Sequence, residues 1–183
     1  MSRLIHLNGP PGIGKSTLAR LYVEAHPGVL NCDVDVLRTL IGGWEGDFAG
    51  AGTLIRPAAL AMIEAYLRGG HDVVLPQMLM NPAELARFEG AAVSAGSEYV
   101  ERMLMDTSTG SVARFHRRGG SEPEDPWHDQ VRAIVAAQGG DAMLTDTHAA
   151  LERLLAERPH SVVITSVEGE IEQTYRSLLE TLD

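Results

Sequence analysis

Apolar and polar positions along this chain alternate between two periods, one of a buried strand and one of an amphipathic helix. Arg3-Leu4-Ile5-His6-Leu7-Asn8 is a short apolar run suited to a buried first strand, and residues 17–24 carry apolar side chains at helical spacing. The same reading predicts strands at 28–32, 71–76, 98–105 and 161–165. Helices are expected at 34–41, 54–67, 108–118, 127–138, 147–157 and 170–182. A further helix should open at Asn81-Pro82, with Asn81 as cap and Pro82 in the first turn, and the 54–67 helix should stop at Gly69-Gly70. Residues 42–53 are dense in glycine and predict a mobile loop, while 119–126 have loop composition. Five strands alternating with helices predict an α/β fold, a parallel sheet covered on both faces with right-handed crossovers. Ligands then belong outside the carboxyl ends of the strands.

The turn after the first strand carries the sharpest chemistry. Gly9-Pro10-Pro11-Gly12-Ile13-Gly14-Lys15-Ser16-Thr17 fits G-x-x-x-x-G-K-[ST], placed between a strand and a helix as a phosphate-binding loop requires. Glycines let backbone N–H groups close around phosphate oxygens, and the helix N-terminus adds partial positive charge. Lys15 can reach the β- and γ-phosphates, and the Ser16 hydroxyl can ligate Mg²⁺. The expected architecture is therefore a P-loop NTPase, a three-layer α/β/α sandwich with a five-stranded parallel sheet.

Other candidates crowd the same edge. Asp33 and Asp35 follow the second strand and Gln77 follows the third. In an extended segment Asp33 and Asp35 would point the same way, one toward an acceptor hydroxyl as general base and one toward Mg²⁺. Helix capping is the competing role for either carboxylate. Arg38, one helical turn after Asp35, can hold a charged group of the acceptor or the transferring phosphoryl group. Arg114 and Arg118 share a helix face ahead of the polar loop and suit a lid over the donor (about 114–127), while Arg117 is expected to point elsewhere. Trp44 and Phe48, in the presumed acceptor-side loop (about 42–57), serve either to stack on an acceptor ring or as a satellite core contact. Asp106 is expected to cap the following helix. The third strand ends Leu75-Pro76-Gln77, without the aspartate usual in motor proteins and GTPases; the carboxylates follow strand two instead.

Composition narrows the function further. The chain has 183 residues, 44% hydrophobic and 22% charged, which suits one globular domain spanning 1–183. The net charge of −10, from 15 basic and 25 acidic residues, is a poor footprint for gripping long nucleic acid, although a local groove or a short oligonucleotide remains compatible with it. No apolar run reaches the roughly 20 residues of a membrane span. The first strand begins within a few residues of Met1, leaving no room for a signal peptide, and Cys32 is the single cysteine, expected in the core; both predict a cytoplasmic protein. The seven histidines show no zinc-ligand spacing.

The motifs resemble those of P-loop kinases related to phage polynucleotide 5′-kinase, zeta toxins and chloramphenicol phosphotransferase. Gly9-x-Pro11-Gly12-x-Gly14-Lys15-Ser16-Thr17, Pro27-Gly28, Asn31 and Asp35-x-x-Arg38 align with the polynucleotide kinase domain without a gap, and Asn81-Pro82 and Arg114-x-x-x-Arg118-Gly119 also have counterparts. Val34-Asp35-x-Leu37 is similar to the catalytic segment of chloramphenicol phosphotransferase. The likeness spans roughly residues 3–120 and is patchy over 42–70, where the lysine-rich character of the nucleic-acid enzyme is missing. It implies a nucleoside-monophosphate-kinase-like fold with an arginine-bearing lid, using ATP and Mg²⁺. It also implies that Lys15 and Ser16 handle ATP·Mg, Asp35 activates the acceptor, Arg38 positions it, and Arg118 with Arg114 contacts the donor phosphates. The leading expectation is phosphoryl transfer to a hydroxyl of a small molecule such as an antibiotic, nucleoside, sugar or polyol. A polynucleotide 5′-hydroxyl kinase stands second, and an ATP-binding switch without an acceptor stands third.

Overall fold

The computed structural model describes residues 1–117 and 127–182. The elements run β1 (Arg3–Asn8), α1 (Lys15–Ala25), β2 (Leu30–Asn31), α2 (Val34–Arg38), α3 (Phe48–Arg68), β3 (Val73–Pro76) and α4 (Pro82–Ser94). They continue β4 (Glu98–Met105), α5 (Ser108–Arg117), α6 (His128–Ala137), α7 (Asp141–Glu157), β5 (Val162–Thr165) and α8 (Ile171–Glu180). All five strands are parallel, in the order β2-β3-β1-β4-β5, with His6 opposite Leu75 on one side and Glu101 on the other. This is the α/β sandwich the alternation predicts. Apolar residues of α3, α4 and α7 bury one face of the sheet, around Leu4, Val73, Leu75 and Met103. Residues of α1 and α8 bury the other, around Ile5, Leu7, Val74, Leu104 and Ile164. A smaller cluster of Phe115, Val135 and Leu144 joins α5, α6 and α7.

Four local readings change. Residues 48–53 are the first turns of α3, not loop. Asp47 caps that helix by accepting from the Gly50 N–H at 2.8 Å, and burial of Phe48, Ala51 and Gly52 outweighs the weak helix propensity of the glycines. Helix α7 starts at Asp141, six residues before the predicted point, and β2 contracts to two residues at the sheet edge. The cap of α5 is the Thr107 hydroxyl, which accepts from Gly110 N–H at 3.0 Å; Asp106 accepts from the Thr107 N–H instead. Asn81 caps α4 as expected, accepting from Ala83 N–H at 2.8 Å.

The centre of the sheet holds a buried polar network that positions its carboxyl edge. The Asn8 carboxamide accepts from Gly9 N–H (2.8 Å) and Leu79 N–H (3.0 Å) and donates to the Leu79 carbonyl (2.9 Å) and Glu101 Oε1 (3.2 Å). Glu101 also receives hydrogen bonds from Arg158, at 2.6 Å, and Ser161. Beside it, His6 donates from Nε2 to the Gln77 carbonyl and accepts from the Tyr99 hydroxyl at Nδ1, each at 2.7 Å. A carbonyl can only accept, which fixes this tautomer. Burial pushes the His6 pKa down to about 4, outweighing the Gln77 hydrogen bond and the nearby Glu101 carboxylate. Burial alone would raise the Glu101 pKa, but hydrogen bonds from Ser161, Arg158 and Asn8 hold it below the ordinary range. Cys32 is fully buried, and burial pushes its thiol up to about 12, which suits a core residue.

Two outcomes are expected. Asn8→Ala strands the Gly9 and Leu79 N–H groups, and denaturant titration should show a loss of at least about 2 kcal/mol. Acidification should cost stability in two windows. His6 is neutral when folded, so the unfolded chain binds the extra proton and stability falls as pH drops from about 6.5 to about 4. The stabilisation from Glu101 is present above its unfolded pKa and lost as pH falls through its lower folded value. Melting temperature against pH for the protein and for His6→Gln checks the first window: the variant should lose the slope between 6.5 and 4.

Candidate active site

The loop after β1 is shaped by close approach. A Cβ at Gly9, where φ is +141°, would lie 2.4 Å from the Leu104 carbonyl oxygen, so glycine alone lets the loop pass over β4. Gly14 takes φ +105° as it leads into α1, aiming the free N–H groups of that helix into the loop. Lys15 Nζ folds back to donate to the Gly9 and Pro10 carbonyls, each at 2.9 Å, so its charge sits over the cradle. The cradle can take phosphate oxygens on backbone N–H groups and one ammonium.

Asp33 and Asp35 do not share an extended segment. Asp33 caps α2, its Oδ1 accepting from Asp35 N–H at 3.0 Å, and Asp35 lies in the first turn. The capping role and the chemical role therefore coincide in Asp33. Its buried carboxylate also sits beside the Ser16 hydroxyl, which partly offsets the rise in its pKa. Burial raises the Asp33 pKa and the neighbouring Asp35 charge adds to it, opposed by hydrogen bonds from Ser16 and from the Asp35 and Val36 N–H groups. A hydroxyl and a buried carboxylate side by side at a phosphate cradle are an oxygen donor set that fits Mg²⁺, which takes one or two protein oxygens with phosphates and water. Asp35 is more exposed and ion-pairs with Arg38 Nε at 3.3 Å.

Arg38 is buried. Its guanidinium lies 4.2 Å over the Phe48 ring and donates to the Phe48 carbonyl at 3.4 Å. A Cβ at Gly52 would fall 2.8 Å from its Cζ. Phe48 is thus the platform for Arg38, with Trp44 edge-on at 6.5 Å. Of the two roles open to this aromatic, Phe48 takes packing.

On the other side of the loop lies a cavity of about 230 Å³, lined by Gly12, Gly14, Thr17, Arg114, Arg117 and the Ser166–Gly169 segment among others. Arg114 braces it, donating to the Ser166 carbonyl (2.7 Å) and the Ile13 carbonyl (3.0 Å), with Asp106 at 3.8 Å. Its guanidinium is committed to protein groups and ties the phosphate loop to the loop after β5. Arg117 does not point elsewhere: it lines the same cavity and forms an ion pair with Glu168 across its mouth, with Nε at 3.0 Å from Oε1. Residues 114 and 117 are three apart and share a helix face as neighbours do. Arg118 and the remainder of the expected lid, 118–126, lie outside the described residues.

The structure brings Gly9 to Thr17, Asp33, Asp35, Arg38 and Arg114 to one edge of the sheet. Sequence reasoning turned Arg117 away from the site and so missed its pairing with Glu168, and it missed Arg56, which stands near Arg38. The signal for Arg56 was its eight-residue spacing from Phe48, invisible while 48–53 read as loop.

A family model described as an AAA domain matches residues 4–136. No curated protein matches the sequence. Among solved structures, the chain is similar to the tunicamycin resistance protein of Deinococcus radiodurans, at 17% identity over 100% of this chain and 96% of that one, with a TM-score of 0.59. It is also similar to a gluconokinase from Sinorhizobium meliloti, at 19% identity over 97% of this chain and 94% of that one, with a TM-score of 0.57. No helix among the described residues is long and apolar enough to cross a membrane. The strand order, the phosphate loop and the matched span agree, and the chain belongs to the AAA domain family with the fold of the P-loop kinases.

Proposed function

We propose that this protein transfers the γ-phosphoryl group of ATP to a hydroxyl of a small molecule. The observation that carries the reading is the placement of Asp33 beside Ser16, with Asp33 capping the turn that holds Asp35. It sets a carboxylate capable of accepting a proton beside the helix whose N-terminus forms the phosphate cradle. The fold likeness to a gluconokinase and to a tunicamycin resistance protein supports a small acceptor, and the net charge of −10 weighs against a polynucleotide.

In this reading the base and ribose occupy the cavity braced by Arg114, with the Arg117–Glu168 pair across its mouth. The phosphates lie along the loop 9–17, on the N–H groups of residues 12–17, and Lys15 moves from the Gly9 and Pro10 carbonyls to the β- and γ-oxygens. Ser16 and Asp33 would hold Mg²⁺, which supplies charge neutralisation on the phosphates. The acceptor O–H bond breaks as Asp35 takes the proton; the oxygen forms its bond to the γ-phosphorus, and the bond to the bridging β–γ oxygen breaks, releasing ADP. Arg38 holds Asp35 in place and faces the acceptor side. Arg118, which the motif resemblance assigns to the donor phosphates, completes the donor set.

Asp35→Asn should lower kcat for transfer of label from γ-labelled ATP by about 10²- to 10⁴-fold. Its affinity for a fluorescent ATP analogue should stay within about twofold of wild type. Full transfer by the variant would remove Asp35 as the base.

A further inference from the structure

Arg38, the ion-pair partner of Asp35, has a second guanidinium near it, that of Arg56. Phe48, Gly52 and Arg56 recur every four residues on α3 and so form one stripe on that helix. The Arg38 guanidinium packs on the first two of these, and Arg56 continues the stripe by one turn. Arg56 Nε lies 3.7 Å from Glu84 Oε2 at the start of α4. Glu84 accepts its hydrogen bond from Arg87 instead, Nη1 donating to Oε1 at 2.9 Å. Arg38 thus faces Asp35, with Asp33 near it, while Arg56 and Arg87 share the single carboxylate of Glu84.

Hydrogen bonding is incomplete in the same place. Arg38 Nε, Arg56 Nε and Glu84 Oε2 are all buried without a hydrogen-bond partner, as is Gln77 Oε1 beyond the end of β3. Gln77 follows directly on β3, its N–H turning back to the Leu75 carbonyl at 3.1 Å and its carbonyl accepting from His6. Buried charged groups lacking hydrogen bonds are costly unless a ligand completes them. Two cationic donors call for an anion, and two acceptor oxygens call for hydroxyl groups.

We infer that the acceptor is a polyhydroxylated compound bearing a carboxylate or phosphate, and that Arg38 and Arg56 form the seat for that anion. Gln77 and Glu84 accept hydrogen bonds from its hydroxyls, and Arg56 sets the preference for anionic over neutral acceptors. This inference rests on the kinase reading for the identity of the ligand as an acceptor.

The experiment has a binding arm and a transfer arm, both on the full-length protein. Calorimetry in a low-salt buffer with the non-hydrolysable β,γ-imido analogue of ATP and Mg²⁺ would titrate gluconate, glycerol 3-phosphate, glucose, sorbitol and glycerol. At least one anion should bind at least about tenfold more tightly than the neutral compounds, the scale of one charged hydrogen bond, and the better anion tells carboxylate from phosphate. Arg56→Gln should remove that preference, while Arg56→Lys should keep part of it and circular dichroism should show both variants folded. In the transfer arm, Arg56→Gln should raise KM for the preferred anion at least about tenfold with a smaller change in kcat. Equal binding of anionic and neutral compounds, or an unchanged preference in folded Arg56→Gln, overturns the seat even if a neutral compound is phosphorylated. Anion binding that depends on Arg56, with no label reaching any compound, keeps the seat and overturns the kinase reading.

Discussion

The carboxyl edge of this sheet depends on one buried carboxamide. Asn8 ends β1, and its side chain uses both donors and both acceptor positions, on Gly9, Leu79 and Glu101. The three central strands are thereby tied together at the point where the phosphate loop departs. Gly9 can then pass over the Leu104 carbonyl, and Gly14 turns the chain into α1 with its N–H groups facing inward. The preorganisation of the cradle is a consequence of packing in the sheet below it.

Around that cradle the edge divides into two sides with different physics. The donor side is a cavity whose wall is braced by Arg114, with hydrogen bonds satisfied by protein carbonyls. The acceptor side, between α2, α3 and α4, leaves two guanidinium nitrogens, of Arg38 and Arg56, and one carboxylate oxygen, of Glu84, buried without hydrogen bonds. The difference matches the roles proposed for them: one wall is built to be stiff, and the other is completed by its ligand. Asp33 and Asp35 stand between, with Asp33 beside Ser16 of α1.

Most of the fold was legible because its signals are local. Strand β4 falls at 98–105 as its apolar pattern predicts, and Asn81-Pro82 opens α4 with the expected cap. The phosphate loop declares itself by spacing alone. What escaped required knowledge of neighbours. Glycine density over 42–53 signals a loop, but 48–53 are helical, and position 52 is glycine because the Arg38 guanidinium takes the space a side chain would fill. That misreading hid Arg56. Likewise, His6 and Glu101 are polar residues in otherwise apolar strands, yet only the register that sets them side by side shows one network. Asp33 read as either cap or ligand, and local sequence could not show that one carboxylate caps the Asp35 N–H and sits beside the Ser16 hydroxyl together.

The central claim is that donor and acceptor meet at Asp35, and a crystal structure with Mg²⁺ and the β,γ-imido analogue of ATP tests it most directly. The account predicts the base in the cavity beside Arg114 and the 166–169 segment, and the phosphates on the N–H groups of the loop. The γ-phosphate should point toward Asp35, leaving room for one acceptor oxygen between them. A triphosphate bound elsewhere, or bound with its γ-phosphate directed away from Asp35, would contradict it.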